Sequence, residues 1–393
     1  MDWQERVLAA IDGELIARQT LDLVAIPSVT MDEAAVCREY ERQLRELELP
    51  VEVREVTPGR NNLYVRIPGA GGGSTLLLNG HLDTIPLGVC PPARREGDRI
   101  YGRGSTDMKS GMAAMLGAAR AILQSGVRLR GDLWLTAVVG HEETEAEKDG
   151  PKALIADINS GRLSCDRILI VEGRDALWVM SMGSMVFTIT LTAPNGGQHT
   201  RYIPFGENLI RHMGDLIGRV TAFQEELDAT TRHPLAGAER IDLGIAEAGD
   251  YFNRTPRVAR LVGTRRWTAG KDAGQVLEEL RRLVAPVAEA GGLEADVLME
   301  HEREPFDTPL DDPAVVASAR AHELVTGRAV EYVGERIVGD ANLYVHGSGV
   351  PTYYYGPSNE TAHGDVEWVS VQRTVDAARV YALTALEYCG VGE

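Results

Sequence analysis

Positive charge is scarce in this sequence. Its 393 residues include 40 lysines and arginines against 58 aspartates and glutamates, which gives a formal net charge of −18. Binding to nucleic acid depends on a surface rich in lysine and arginine that neutralises phosphates, and anionic membranes select for the same charge. The charge balance therefore argues against nucleic acid and anionic lipid as partners.

Long apolar runs and closely spaced cysteine pairs are also missing, and the first residues do not predict a leader segment. The most apolar stretch, residues 112–123, is interrupted by Arg120 and is shorter than the roughly 20 residues needed to cross a bilayer. No basic segment leads into an apolar run at the N-terminus, so we expect a cytoplasmic protein. The cysteines show no C-x-x-C spacing, which predicts reduced thiols at Cys37, Cys90, Cys165 and Cys389.

The residues that are present are typical of a large globular protein. Hydrophobic residues make up 44% of the chain and charged residues 25%, far from the composition of disordered chains. At about 100–200 residues per domain, the length predicts two or three domains.

The first 182 residues alternate short apolar runs with amphipathic helices, which predicts an α/β domain with a mixed sheet. Thr30 and Glu33 form a T-x-x-E pattern, which predicts a capping box at the start of a helix. A further helix is predicted at 107–124. Strands are predicted at 51–56, 63–67, 75–79, 133–139 and 167–171.

A different pattern begins after residue 182. Strand and helix signals follow in the order β-α-β-β-α-β up to residue 303, which is typical of a ferredoxin-like unit. The α/β pattern resumes after that, with a last apolar strand at 350–355. We therefore expect a catalytic domain formed by residues 1–182 and 304–393, with a small α+β domain inserted at 183–303.

Five short motifs place acidic or histidine side chains at or just beyond predicted strand ends. By itself each motif also fits an ordinary solvated loop or, for Asp107, a helix N-cap. In α/β sheets, however, ligands collect beyond the carboxyl ends of the strands. Together the motifs predict a mixed nitrogen and oxygen site for two zinc-like ions. The residues are His81 and Asp83, Asp107, the pair Glu142 and Glu143, Glu172, and His363.

The order of these motifs resembles the co-catalytic zinc exopeptidase and amidohydrolase family, which includes glutamate carboxypeptidase, aminoacylase, acetylornithine deacetylase and succinyl-diaminopimelate desuccinylase. The matching segments are Gly-His-Leu-Asp-Thr at 80–84, Gly-Arg-Gly-Ser-Thr-Asp-Met-Lys-Ser-Gly at 102–111, Glu-Glu at 142–143, Glu172 and Ala-His at 362–363. The resemblance implies a three-layer zinc-hydrolase domain whose inserted domain serves as a lid and dimerisation surface. It covers nearly the whole chain.

The resemblance also implies a role for each matching residue. His81 and Glu172 would bind one metal ion, Glu143 and His363 the other, and Asp107 would bridge the two ions. Asp83 would orient His81. Glu142 would act as the general base that takes a proton from a metal-bridged water, which then attacks an amide carbonyl. Zinc is the expected metal, although manganese and cobalt also suit such ligands.

The inserted region carries further family-like residues. His199, in Gly-Gln-His-Thr at 197–200, resembles the lid histidine that reaches the partner's active site and steadies the oxyanion, which implies a homodimer. Asn253 and Arg266 resemble the lid residues that bind a substrate carboxylate. Three features depart from the family pattern and leave the substrate open: His141 before the paired glutamates, Thr264 in place of an aspartate, and the segment 357–361.

The leading hypothesis is therefore a dimeric, metal-dependent amidohydrolase that acts on a small N-acyl amino acid or a related carboxylate. Three alternatives remain open. They are a di- or tripeptidase, a hydrolytic deaminase of aromatic amines like nitroanthranilate aminohydrolase, and a binding protein that keeps the fold without catalysis.

Overall fold

The computed structural model describes residues 2–142 and 146–392. Helices comprise α1 (Trp3–Ala9), α2 (Gly13–Val24), α3 (Ala34–Arg45), α4 (Ser110–Gln124), α5 (Asp149–Asn159), α6 (Leu209–Thr230), α7 (Ala273–Gly291), α8 (Pro313–Thr326), α9 (Asp340–Ser348) and α10 (Val371–Cys389). In the described part of the chain, no helix combines the length and the apolar character that a membrane span requires.

Strands are β1 (Val51–Thr57), β2 (Arg60–Ile67), β3 (Leu76–His81), β4 (Arg94–Glu96), β5 (Arg99–Tyr101), β6 (Leu133–Val138), β7 (Arg167–Ile170), β8 (Leu177–Ser181), β9 (Gly183–Thr192), β10 (Arg240–Ala248), β11 (Val258–Trp267), β12 (Glu294–Arg303), β13 (Phe306–Asp307), β14 (Tyr332–Glu335), β15 (Thr352–Tyr354) and β16 (Trp368–Ser370). The chain forms two compact units. The first contains residues up to 179, Thr308–Val333 and those from 343 onwards, and the second contains Met180–Asp307 and Gly334–Asn342.

A mixed sheet forms the centre of the first unit. Its strands run in the order β1-β2-β6-β3-β7-β15-β8. β3 pairs in parallel with β6 and β7, and β15 pairs in parallel with β7. Every residue of β3 is buried, as expected for a parallel strand covered on both faces. The predicted mixed α/β fold is therefore confirmed.

The second unit contains a four-stranded antiparallel sheet in the order β10-β11-β9-β12. Helices α6 and α7 complete the element order β-α-β-β-α-β. Buried residues recur at every second position through most of β9, so one face of that strand supplies the core. Met185, Phe187, Ile189 and Leu191 pack there with apolar residues of both helices.

Two local predictions were wrong. Glu33 precedes α3 but makes no capping bond; its carboxylate binds Arg60 instead, while the Thr30 hydroxyl donates to Asp83. The helix expected from Asp107 begins at Ser110, because the backbone torsions of Asp107 and Met108 are not helical. In both places, the local pattern predicts that a side chain caps a helix, whereas the structure has that side chain in contact with a residue distant in the sequence.

A buried ion-pair cluster stabilises the second unit. Arg265, which is fully buried, contacts Glu239 at 2.6 Å and Glu279 at 2.8 Å, and Lys271 contacts both carboxylates at 2.8 Å. Burial raises the pKa of Glu239, but the bonds from Lys271 and Arg265 outweigh burial and lower it. Glu239 is therefore charged, and it pairs with two cations, Arg265 and Lys271, that also pair with Glu279.

We expect Glu239→Gln to lower the free energy of unfolding by about 3 kcal/mol, because it leaves buried Arg265 with too little negative charge. Urea unfolding followed by circular dichroism measures this change. The control is Asp242→Asn in the exposed pair with Arg240, which should cost less than about 1 kcal/mol. Equal effects of the two substitutions would contradict the expectation.

Candidate metal centre

The candidate residues follow four neighbouring strands that are parallel along the sheet. His81 ends β3, Glu142 comes after β6, Glu172 after β7 and His363 after β15. Because parallel strands end at the same edge, these side chains meet beyond that edge.

His81 is oriented through both of its ring nitrogens. Its Nδ1 lies 2.9 Å from the backbone oxygen of Asp83, and its Nε2 lies 3.1 Å from Asp107 Oδ1. If Nδ1 carries the proton and donates to the carbonyl, the lone pair of Nε2 faces the site, as a metal ligand requires. The Asp83 carboxylate was expected to orient His81, but its Oδ1 is 3.7 Å from Nδ1, so the closer contact is with the backbone of the same residue.

The carboxylate of Asp83 instead holds the chain around the site. Its Oδ2 accepts hydrogen bonds of 2.8 Å from the Thr30 hydroxyl and from the backbone N–H groups of His141 and Glu142. Asp83 is fully buried, so these bonds offset the cost of removing its charge from water. The start of the segment that carries Glu142 is thereby fixed.

Asp107 lies between two histidines. Its Oδ1 contacts His81 Nε2 at 3.1 Å, and its Oδ2 contacts His363 Nε2 at 3.3 Å. Burial alone raises the pKa of Asp107, but hydrogen bonds from His363 and His81 outweigh burial and hold it well below its usual range. A charged carboxylate with one oxygen toward each imidazole has the geometry expected of a bridging ligand.

The backbone leading into Asp107 is fixed by Glu367, which the sequence analysis missed. Glu367 Oε1 accepts the N–H groups of Thr106 at 2.9 Å and of Asp107 at 3.3 Å, while Oε2 accepts from Arg103 at 2.8 Å. Glu367 is buried. The only signal in the sequence is an acidic residue between Val366 and Trp368, four positions after His363.

His363 brings Glu142 into the group. Its Nε2 is 3.4 Å from Glu142 Oε2, and its backbone φ of 61° lies in the left-handed region that residues other than glycine rarely adopt. Hydrogen bonds to Asp107 and Glu142 raise the pKa of His363 to about 10. Burial lowers the pKa of His81, but Asp107 outweighs that effect and raises it above the usual range.

Glu172 and His141 complete the group. A ligand atom from each lies within 4.8 Å of the other and of a ligand atom of His81. The imidazoles of His141 and His81 are stacked, with centroids 4.1 Å apart and planes 15° apart, so His141 faces the site. Burial, followed by the negative charge of Asp107, raises the pKa of Glu172 to about 7.

Four further residues were predicted to belong to the site. Glu143 falls outside the described residues. His199, Asn253 and Arg266 belong to the second unit. There the Asn253 amide lies 3.4 Å from the Nε2 of exposed His199, so the structure brings these two together. Arg266 lies on β11 and donates to the backbone oxygen of Arg336.

This donor set fits divalent metal ions. Two overlapping groups offer closely spaced ligand atoms, one formed by His81, His141 and Glu172 and the other by His81, Asp107 and Glu142. Imidazole nitrogen combined with carboxylate oxygen suits zinc, and also manganese or cobalt.

Metal binding is expected to release protons. With a pKa of about 10, His363 is protonated at pH 7 in the metal-free protein, and a ligand must lose its proton to bind a metal. Affinity for Zn²⁺ should therefore rise from pH 7 to pH 9 by about tenfold per pH unit for each proton released. His81, whose pKa is also raised above its usual range, should release a proton as well. Below pH 7, Glu172 should add a further proton. Titration calorimetry in buffers of different protonation enthalpy counts these protons, and a pH-independent affinity would contradict the assignment.

Comparison with known proteins is consistent with this geometry. The model of peptidase family M20/M25/M40 matches residues 77–387. Succinyl-diaminopimelate desuccinylase of Cereibacter sphaeroides is 28% identical over 386 residues, covering 94% of this chain and 97% of that protein. The N-formyl-4-amino-5-aminomethyl-2-methylpyrimidine deformylase of Bacillus subtilis is 24% identical over 390 residues, covering 88% of this chain and 87% of that protein.

A solved structure shares the fold. Aminopeptidase PepT of Bacillus cereus superposes with a TM-score of 0.79 at 18% identity, over 96% of this chain and 99% of that one. The family model covers well over half of the sequence and includes the segments that carry His81, Asp107, Glu142, Glu172 and His363. This chain therefore belongs to the peptidase M20/M25/M40 family.

Proposed function

We propose that this hydrolase of C–N bonds cleaves the amide of a small N-acyl amino acid or a related carboxylate. The observation that carries the proposal is the position of Asp107, whose two oxygens face His81 and His363, with Glu142 3.4 Å from the second histidine. This arrangement supplies a bridging carboxylate and a nearby base, the two elements that metal-assisted amide hydrolysis requires.

In this proposal, His81 and Glu172 hold one metal ion, Glu143 and His363 hold the other, and Asp107 lies between them. When bound, two such ions lower the pKa of water from about 15.7 to roughly 7 and polarise a carbonyl. Zinc is the metal we expect. The close spacing of the ligand atoms of His81 and Glu172 supports the first of these two pairs.

Glu142 is the proposed general base. Its side chain is buried and its carboxylate approaches His363, while its backbone N–H is held by Asp83. A carboxylate fixed in this way accepts a proton from the attacking water and returns it to the departing amine. Asp83 contributes by positioning, through the backbone of residues 141 and 142.

The second unit is proposed to complete the site. We infer a homodimer formed through this unit, in which His199 steadies the oxyanion in the site of a neighbouring copy. Arg266 and Asn253 are proposed to bind the substrate carboxylate. Of the two adjacent arginines, Arg265 is fully buried in ion pairs, so Arg266 is the one that remains for a ligand. The contact between Asn253 and His199 supports a shared role.

Two relatives favour an acyl amide over a peptide as the substrate. By their names, one removes a succinyl group and the other a formyl group. Both names describe removal of an acyl group, although the amine partner differs. An N-acyl amine agrees with both names, whereas a carboxylate that could bind Arg266 is present only in the succinylated compound.

The function is tested by release of free amine from a panel of N-acetyl, N-succinyl, N-formyl and N-aroyl amino acids, free dipeptides and aromatic amines. We expect release from the acylated compounds, and we expect a chelator to abolish it. Faster release from free dipeptides would favour a peptidase, and release of ammonia from aromatic amines would favour a deaminase. Absence of stoichiometric metal, together with no release from any compound, would contradict a hydrolytic role.

Glu142→Gln should retain both metal ions but reduce turnover by several orders of magnitude, because the glutamine cannot accept a proton. Metal analysis and steady-state kinetics on the best substrate of the panel measure the two effects. Glu147→Gln, at an exposed position of the same segment, is the matched control and should keep normal turnover. Unchanged turnover in Glu142→Gln would refute the general-base assignment.

A further inference from the structure

A buried ion-pair network outside the metal centre holds the segment that carries Glu142. We propose that Arg60 is a positioning residue for Glu142, because it ties together the two ends of the segment 139–150. The inference rests on the proposed role of Glu142 as the base.

One end of the segment is fixed through Glu33. The N–H of Gly140 donates to Glu33 Oε1 at 3.0 Å. Arg60 donates to both oxygens of the same carboxylate, from Nε to Oε2 at 2.7 Å and from Nη2 to Oε1 at 2.8 Å. The side chains of Glu33 and Arg60 are 0% and 7% exposed, so this two-pronged pair is shielded from water and from salt.

The other end is fixed by the same guanidinium. Arg60 Nη1 donates to Asp149 Oδ2 at 2.6 Å, and Asp149 is the first residue of α5. Asn62, two residues along β2 and fully buried, makes a parallel connection. Its Oδ1 accepts from the N–H of Val139 at 3.2 Å, and its Nδ2 donates to the oxygen of Gly150 at 2.9 Å.

The two ends approach so closely that a side chain does not fit between them. Gly140 has a φ of 69°, and a Cβ there would lie 2.2 Å from Asp149 Oδ1 and 2.6 Å from Arg60 Nη2. A Cβ on Gly150 would lie 1.9 Å from the oxygen of Val139. Residues 139–140 and 149–150 therefore lie side by side in a narrow neck that Arg60 and Asn62 hold closed.

Arginine suits this task better than lysine. Its planar group donates in fixed directions to two carboxylates at once, whereas an ammonium is a single point charge. Without Arg60, the buried carboxylate of Glu33 and the partly exposed carboxylate of Asp149 would lose the cation that they share, and the neck would open. Glu142 lies two residues from Gly140, and a displacement of about 1 Å at a catalytic group costs roughly 100-fold in rate.

The test uses full-length, zinc-loaded Arg60→Lys and Arg60→Gln. Arg54→Lys is the matched control, because Arg54 lies on the adjacent strand β1 and pairs with Asp157 rather than with this segment. Hydrogen–deuterium exchange in peptides covering 139–150 should accelerate by about tenfold or more in the Arg60 variants. The control and the other peptides of the first unit should match the unaltered protein. This readout needs no substrate.

Kinetics on the best substrate of the panel separate positioning from folding. We expect kcat to fall about 100-fold in Arg60→Gln, with a smaller fall in Arg60→Lys and with KM within about twofold. Gly140→Ala removes no charged group, but its added methyl group would push Asp149 and Arg60 away. It should therefore lower kcat in the same way.

Three results would overturn the inference. They are unchanged exchange at 139–150, faster exchange spread evenly over the first unit, and a normal kcat despite faster local exchange. If Glu142→Gln proves fully active, the general-base role fails instead, and that result is independent of the exchange measurement.

Discussion

One buried carboxylate joins the parts of the metal centre. Asp83 accepts hydrogen bonds from Thr30 and from the backbone of His141 and Glu142, and its own backbone oxygen contacts His81. A fully buried charge needs hydrogen bonds in place of the water it has lost, and Oδ2 of Asp83 receives all three of these bonds. The donors to its carboxylate come from the segment before α3 and the segment after β6, so satisfying this one charge holds both segments against the end of β3, where Asp83 lies.

Two kinds of cationic side chain contact the acids around the site. Among the described residues, Glu33 and Glu367, which lie behind the site, bind the guanidiniums of Arg60 and Arg103. Asp107, at the centre, contacts the imidazoles of His81 and His363. A guanidinium keeps its charge at any relevant pH, whereas an imidazolium can exchange its proton for a metal ion. The carboxylate–guanidinium pairs therefore fix the backbone, whereas the carboxylate and imidazole groups at the centre can exchange protons for metal ions.

Much of the architecture could be predicted from the sequence because its signals are local. Runs of apolar residues predict β3 and β7, and apolar residues at every second position predict β9. The residues at strand ends are also readable, since the topology alone brings the ends of β3, β6, β7 and β15 to one edge. A family resemblance then orders these residues into a site, although the individual roles of Glu142, Glu172 and His363 stay proposals.

The supporting contacts could not be predicted in this way. Thr30 and Glu33 have the spacing of a capping box, yet their partners Asp83 and Arg60 lie 53 and 27 residues further along the chain. Local propensity contains no information about such partners. The torsions of Asp107 and the left-handed backbone of His363 have the same origin, because tertiary contacts impose them against the local preference.

The division of the chain into units has a consequence for protein engineering. The second unit is not a single insertion, because Gly334–Asn342 belongs to it as well as Met180–Asp307. In Gly334–Asn342, the backbone oxygen of Arg336 accepts a hydrogen bond from Arg266, and the Arg336 side chain donates one to the backbone oxygen of Ala236. Deleting Met180–Asp307 alone would leave nine residues of the second unit, Gly334–Asn342, in the remaining protein without the contacts that they make within that unit. A minimal version of the first unit must therefore be rejoined at two places along the sequence, and a minimal version of the second at one.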